Sequence, residues 1–416
     1  MLYNKNGGMK MKKIIALALA ILMVFALAGC EKKESSTSTG TTTAGGPDIS
    51  KVKVGVIYIG DENESYTEAH MKGIQEMKTK LGLSDSQIIE KTHIKEDQSC
   101  YEAAADLADQ GCTIIFANSF GHEKFMMQAA KEFPNVQFCH ATGFQAKSSG
   151  IANMHNYFTA VYESRFVSGV VAGLKLNEMI AAGKFTKDQA KMGYVGAFNY
   201  AEVVSGYTSF YLGAKSVCPT VTMEVQYTSS WADMTAEKEV ATQLIANGAK
   251  LISQHADTTG APTACEKAGV PNVGYNVDMT SVAPKTALTS ATINWGPYYT
   301  YAVDCIIKGD KISTDWCKGY VDGAVAISKL NDAAVAKGTA EKVAEVEAAL
   351  KAGTLHVFKT DTFTVGGKTM EDLIANNKDF AKYSANVKDG YFHESEVISA
   401  PAFDLRIDGI KELIKK

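Results

Sequence analysis

The chain has 416 residues, 46% of them hydrophobic, and 42 Lys+Arg against 46 Asp+Glu leave a formal net charge of −4. Charges of both signs are interspersed, which excludes a basic stripe for nucleic acid and a strongly acidic face. Beyond Cys30 no apolar stretch is long enough to span a bilayer, so the bulk of the chain reads as globular and long enough for two domains.

At the N-terminus residues 9–13 are basic, residues 14–28 are an unbroken apolar stretch, and Leu27-Ala28-Gly29-Cys30 closes it with small residues and a cysteine. This is the layout of a secretory signal, assigned to residues 1–30. Its Leu-Ala-Gly-Cys ending resembles the bacterial lipobox, which implies lipidation of Cys30 and a tether to the extracytoplasmic face of the cell membrane. An ordinary secreted protein with a fortuitous cysteine is the alternative. Residues 31–48 are rich in Ser, Thr and Gly and carry no side chain able to build a core, so a flexible stalk is expected to about residue 50.

Short β-branched runs then alternate with helical periodicity. Strands are predicted at 52–59, 113–117, 136–140, 192–196, 221–227, 251–254 and 273–277, and helices at 66–81, 101–109, 122–132, 159–181, 202–217, 235–246 and 262–268. Nearly continuous apolar strands separated by helices predict parallel sheets covered on both faces, an α/β fold. Residues 332–351, rich in Ala, Glu, Val and Lys, read as a surface helix that decorates the fold. The seven cysteines after Cys30 (Cys100, Cys112, Cys139, Cys218, Cys265, Cys305 and Cys317) show neither Cys-x-x-Cys nor Cys/His ligand spacing, and no disulfide framework is expected from an odd count.

The chain also repeats itself. "LADQGCTIIFANS" from Leu107 parallels "LIANGAKLISQHA" from Leu244, and Pro134-Asn135-Val136 stands to Pro271-Asn272-Val273 as Gly111 stands to Gly248. Lys53-Val54-Gly55-Val56-Ile57 has a counterpart in Lys191-Met192-Gly193-Tyr194-Val195, one residue out of phase. Matches in the same order at nearly constant offset indicate two copies of one α/β unit. The first lobe is assigned to 51–158 with part of about 290–330, the second to 159–289, and 330–416 to a segment that completes both.

In open parallel sheets ligands sit beyond the carboxyl ends of the strands, so the repeat places Asn118-Ser119-Phe120 opposite His255-Ala256-Asp257 across one cleft. His255 and Asp257 are open to three readings: metal ligands, a catalytic pair, or the wall of a pocket. A metal would need further converging ligands, and His122, His140 and His155 are scattered. No Gly-x-Ser-x-Gly elbow, phosphate loop or Cys-His-Asp arrangement supports catalysis. The pocket reading is preferred, with Asp257 otherwise serving as a helix N-cap. Glu163 and Arg165 read as a structural ion pair at the start of a long helix.

The lipobox-like ending, "KVGVIYIG" leading into a polar-aromatic loop, "FANSFGHEKFMMQAAKEFPNVQF", "ESRFVSGVVAGL", "GYVGAF", "VGYNVDM" and "APAFDLRIDGI" together resemble the basic membrane protein family, over about residue 51 to the C-terminus. This resemblance implies a substrate-binding lipoprotein of an ABC importer, with no enzymatic activity and no cofactor. The implied fold is the type I periplasmic-binding-protein fold, two Rossmann-like lobes joined by a multi-strand hinge. Crossovers are expected near Tyr157, near residues 286–293, and once beyond. The implied partners are a purine ligand and the permease and ATPase subunits, with the receptor itself a monomer.

"SSWADMTAEKE", "QHADTTGAP" and "NWGPYY" resemble the branch associated with free purine bases, adenine in particular. The loop Asp61-Glu62-Asn63-Glu64-Ser65-Tyr66 departs from the nucleoside branch, and residues 291–295 lack the lysine that nucleoside binders place at the crossover. The expected purine-binding set follows from what a flat, edge-polar ring needs. Tyr66, Phe120, Phe198, Trp231 and Trp295 are candidates for stacking, each equally suited to core packing. Asn118, Asp257 and Asp278 are candidates for the ring edge, and His255 for a hydrogen bond to the ligand or a neighbouring loop. A purine nucleoside receptor, a ligand-sensing surface lipoprotein and a purine-converting enzyme are the rival readings.

Overall fold

The structure, a computed structural model, describes residues 49–413; the signal sequence expected at 1–30, with Cys30, and the expected stalk up to residue 48 lie outside the described residues. In chain order the elements are β1 (Val54–Ile57), α1 (Ser65–Leu81), β2 (Ile88–Lys91), α2 (Gln98–Asp109), β3 (Ile114–Ala117), α3 (Glu123–Glu132), β4 (Gln137–Ala141), α4 (Ala146–Ser149) and β5 (Met154–Thr159). There follow α5 (Val161–Ala181), β6 (Lys191–Gly196), α6 (Ala201–Val217), β7 (Thr222–Tyr227), α7 (Met234–Ala246), β8 (Leu251–Gln254), α8 (Gly260–Ala268), β9 (Asn272–Asn276) and β10 (Ala287–Ile293). The chain ends with α9 (Gly296–Lys308), β11 (Asp315–Lys318), β12 (Val325–Ile327), α10 (Thr339–Lys351), α11 (Met370–Asn376), β13 (Val387–Lys388), β14 (Tyr391–Phe392) and β15 (Ile410–Glu412).

Two sheets carry the fold. The first runs β11-β5-β4-β3-β1-β2 and the second β12-β10-β9-β8-β6-β7-β15. Stripped of edge additions, both have the same doubly wound order, so the internal repeat in the sequence is a repeat in space. All pairings in the two sheets are parallel except β10 with β12. Fully buried strands such as Val54–Ile57, Ile114–Ala117 and Leu251–Gln254 explain the continuous apolar runs, because helices cover both sheet faces. The chain passes between the sheets three times: from β5 to α5, from β10 to α9, and from β11 to β12.

Several elements differ from the sequence expectation. β2 is absent from it because Ile88–Lys91 is a half-exposed edge strand whose four residues end in Glu90 and Lys91. The helix expected from Thr159 starts at Val161, since the aromatic run through Thr159 completes buried β5. The predicted surface helix begins only at Thr339, after Gly338 at φ 82°, and buries Val343, Val346 and Leu350 in the core of the second lobe. It is a packing element rather than decoration.

Beyond α10 the chain wraps the second lobe. Phe358, Phe363, Phe392 and Phe403 enter its core, and β15 adds to β7. Oε1 of Glu412 accepts hydrogen bonds from Tyr207 (2.9 Å) and Tyr227 (2.5 Å). The same segment reaches the first sheet, where the amide and hydroxyl of Ser399 both donate to Oδ1 of Asp315 on β11 at 2.9 Å. All seven described cysteines are free, six of them buried.

Candidate functional site

The carboxyl ends of β1, β3, β4, β6, β8 and β9 meet between the two sheets. They surround a small cavity lined by Ile59, Glu64, Tyr66, Asn118, Ser119, Phe120 and Thr142 on one side and Glu202, Trp231, His255, Asp257 and Tyr275 on the other. This is where the strand order reverses in each sheet, the place at which the doubly wound topology leaves a crevice. At about 20 Å3 the cavity has room for about one water as it stands, so a small-molecule ligand requires the lobes to part. The wall residue Thr142 (φ 66°) after β4 carries left-handed backbone, as does Asn276 (φ 62°) at the end of β9, just behind the wall.

The lobes touch over this cavity. The backbone amide and hydroxyl of Ser65, the first residue of α1, donate to the carbonyl of Asp257 at 3.2 and 2.7 Å. Phe120 of the first lobe stacks on Tyr200 of the second at 5.0 Å, and Phe198, Tyr200 and Trp231 continue the aromatic strip. A ligand reaches the cavity only when these contacts part, which is the behaviour of a hinge-closing cleft.

Six of the expected site residues line the cavity: Tyr66, Asn118, Phe120, Trp231, His255 and Asp257. Phe198 lies further out, in an adjoining recess with Asp61, Ser229 and Thr258. Two others are placed elsewhere. Trp295 is fully buried behind the cavity, stacked on His70 at 4.1 Å and edge-on to Tyr66 at 6.0 Å, so it supports the stacking residue instead of serving as one. Asp278 is exposed in the loop after β9, accepts from the amide of Thr280 at 2.8 Å and borders a separate recess with Lys72 and Lys329.

The polar groups fall into spent and unspent. Oδ1 of Asn118 accepts from the amide of Ile59 at 2.9 Å while its Nδ2 donates to Thr67 at 3.3 Å, so this amide fixes the loop after β1. Tyr66 donates to the Asn118 carbonyl at 2.7 Å. Oδ1 of Asp257 accepts from Nδ2 of Asn276 at 2.9 Å. His255 sits with Nδ1 3.3 Å from the Tyr194 hydroxyl and Nε2 3.4 Å from Oε1 of Glu202. The Tyr275 hydroxyl is buried and has no hydrogen-bond partner.

Charge is the distinctive feature. Glu64, Glu202 and Asp257 line the cavity, and no lysine or arginine does among the described residues. Burial raises Glu64 to about 7 and Glu202 to about 7, with Arg165 pulling Glu202 back down. Asp257 is pushed well above the usual carboxylate range by burial and by Glu64, Glu237 and Glu202. His255 is held neutral by burial and by Arg165. Among the described residues no group of three or more His, Cys, Asp and Glu side chains is arranged to hold a metal ion.

Arg165 is not the partner of Glu163. Its Nη1 donates to the carbonyl of Gln254 at 2.7 Å and its guanidinium lies 3.6 Å over the Tyr275 ring, while Oε2 of Glu163 accepts from the amide of Tyr320 at 2.8 Å. Two residues apart on one helix, they point to different neighbours. The sequence reading also missed Glu64, Glu202 and Tyr275. Glu202 was legible in principle, since it opens the helix that follows β6 just as Asp257 precedes the one after β8. Tyr275 was hidden inside a short, fully buried strand.

Comparison with known proteins adds the family. Residues 51–354 match Bmp, the PnrA-like ABC transporter substrate-binding proteins. The chain belongs to this family. Among similar Bmp relatives, a purine-binding protein of Brucella abortus is 32% identical over 310 residues, 74% of this chain and 83% of that one. The ABC transporter nucleoside-binding protein BmpA of Lactococcus lactis is 25% identical over 61% of this chain and 67% of its own. The fold is shared with a solute-binding protein of Conexibacter woesei (TM-score 0.59, 19% identity, 73% of this chain and 98% of that one). It is also shared with one from Aeropyrum pernix (TM-score 0.62, 16% identity, 79% and 99%). This Bmp protein is therefore an ABC-transporter substrate-binding protein, of a family of solute binders and not enzymes. The segment 355–413 lies beyond the family match.

Proposed function

We propose that the protein is a lipoprotein anchored through Cys30 that captures a purine base, adenine-like, in the interlobe cavity and delivers it as a monomer to a permease with its ATPase subunits. The observation that carries this reading is the lining itself: Tyr66, Phe120 and Trp231 offer aromatic faces, and Glu64, Glu202, Asp257 and Tyr275 offer the edge groups that a purine's alternating donors and acceptors need. Desolvation in the closed cleft strengthens those hydrogen bonds, and no covalent step is involved. The purine-binding name of the Brucella abortus relative supports the ligand class.

A nucleoside is the second reading. The recess that adjoins the cavity shares Ile59, Glu64 and Trp231 with it and adds Asp61, Asn63, Ser229 and Ser230, polar groups suited to a sugar. The nucleoside-binding name of the Lactococcus lactis relative points the same way. Isothermal titration of ligand-stripped protein with adenine, guanine, hypoxanthine and their nucleosides, with and without EDTA, decides between them. Tight binding of a base but not its nucleoside, indifferent to EDTA, is expected. Binding of nucleosides alone would move the ligand into both compartments, and heat from none of the six would remove purines altogether.

A further inference from the structure

Three carboxyl side chains share one buried cavity, and the nearest guanidinium, Arg165, lies behind the wall on the Tyr275 ring, with Nε and Nη2 lacking hydrogen-bond partners. Three anions against one cation in a desolvated space is untenable, so the cavity must hold protons of its own or receive positive charge from its ligand. The three acids differ in what they already bind. Glu64 accepts from the Thr67 hydroxyl at 2.5 Å and Asp257 from Asn276 at 2.9 Å, whereas Glu202 has one long contact, 3.4 Å, to His255. Glu202, with no contact shorter than 3.4 Å, and the unpartnered Tyr275 hydroxyl are thus the cavity groups least committed to protein partners.

A protonated carboxyl donates through its hydroxyl and accepts through its carbonyl, which matches a ring nitrogen beside an exocyclic amine, the N=C–NH2 edge. An ionised carboxylate only accepts, and matches two adjacent N–H donors instead. The proton on one acid therefore decides which edge is read. We propose that Glu202, with the Tyr275 hydroxyl beside it, is the specificity-determining group of the cavity, and that it takes an amino-substituted neutral ring while carrying a proton. The proposal rests on the purine-capture reading and adds to it a proton held in the closed cleft. Capture then weakens as pH rises and Glu202 ionises in the free protein. Anionic ligands, nucleotides included, are rejected by the same charge balance.

The surroundings of Glu202 support a titration near neutrality. It opens α6, and the groups that act on it or feel it are Arg165 on α5, Tyr194 on β6, His255 and Asp257 after β8, Tyr275 on β9 and Tyr66 on α1. Arg165 alone among these is cationic, His255 being held neutral. Burial outweighs Arg165 and leaves Glu202 at about 7.

The test is calorimetric titration of the wild type, E202Q and E64Q with adenine from pH 6 to pH 9, at each pH in two buffers of different ionisation enthalpy, with melting curves to verify that each variant is folded. Wild-type affinity is expected to level off at the acid end, to fall by up to about tenfold per pH unit once Glu202 ionises, and to show proton uptake there. E202Q, whose amide is a permanent donor and acceptor, is expected to bind across the range with a flat profile, and E64Q to keep the wild-type slope. A flat wild-type profile would overturn the proposal while leaving purine capture intact, as would a slope that survives in E202Q and vanishes in E64Q. Absence of adenine binding at every pH would overturn both.

Discussion

Two tryptophans show how much a residue's role depends on a few ångströms. Trp231 borders the cavity at the edge of the aromatic strip, with its ring 5.1 Å from Phe198, while Trp295 is sealed in the core of the first lobe against His70, Tyr157 and Phe158. Replacing Trp231 by alanine is expected to weaken purine binding by about 1–3 kcal/mol, the usual worth of one base stack, with little change in unfolding. Replacing Trp295 by alanine is expected to cost about 3–5 kcal/mol of stability through the cavity it leaves, measured as a lowered denaturant midpoint. The sequence offered both as stacking candidates because Trp231 follows a strand and Trp295 stands at a crossover, ends from which a side chain can reach the cleft. What separates them is depth behind Tyr66, a quantity that no spacing in the sequence encodes. The same limit hid Tyr275, which sits in a short, fully buried strand as a core tyrosine would.

At the scale of elements, the parallel strands were legible because full burial forces uninterrupted β-branched and small residues. The site could be placed at their carboxyl ends because two homologous runs, Ile114–Ala117 and Leu251–Gln254, end at cavity residues. The C-terminal segment was not legible: its strands are two or three residues long, and its anchors are single side chains such as Glu394, Ser399 and Glu412. The crossing of α5 and α6 is a third case, visible in the sequence only as scattered glycines. A Cβ at Gly169 would lie 2.0 Å from the carbonyl oxygen of Phe210, and one at Gly213 would lie 2.0 Å from that of Phe166. Both obstacles are backbone, so neither can turn aside. Gly213→Ala is therefore expected to destabilise the second lobe by at least about 1–3 kcal/mol despite alanine's better helix propensity, read as a lower urea midpoint. An unchanged or raised midpoint would mean that the helices sit further apart.

For the molecule as a whole, burial has set two families of ionisable groups against each other. His70, His122, His140, His155 and His255 are all lowered by burial, His122 and His155 to about 4. Glu64, Glu202, Glu237 and Glu394 are each raised by burial to about 7. A histidine whose folded pKa is depressed leaves the unfolded chain holding more protons between about 4 and 6.5, so stability rises with pH there. A glutamate whose folded pKa is raised does the reverse: the native state holds the extra proton between about 4.3 and 7, and stability falls as pH climbs through that window. Below about 6.5 the two families oppose each other and melting temperature is expected to change little. Above it the histidines no longer contribute, while the glutamates still shed protons into a cleft and a core that disfavour their charge. The ligand-free protein is therefore expected to lose thermal stability between pH 6.5 and about 7.5, and E202Q, which removes one of the four acids, to lose less. Differential scanning calorimetry across pH 5 to 8 checks both curves. A melting temperature that climbs steadily from 6.5 to 8 would mean that the buried glutamates are ionised and paired in the native state, which would remove the physical basis for a proton stored in the binding cleft.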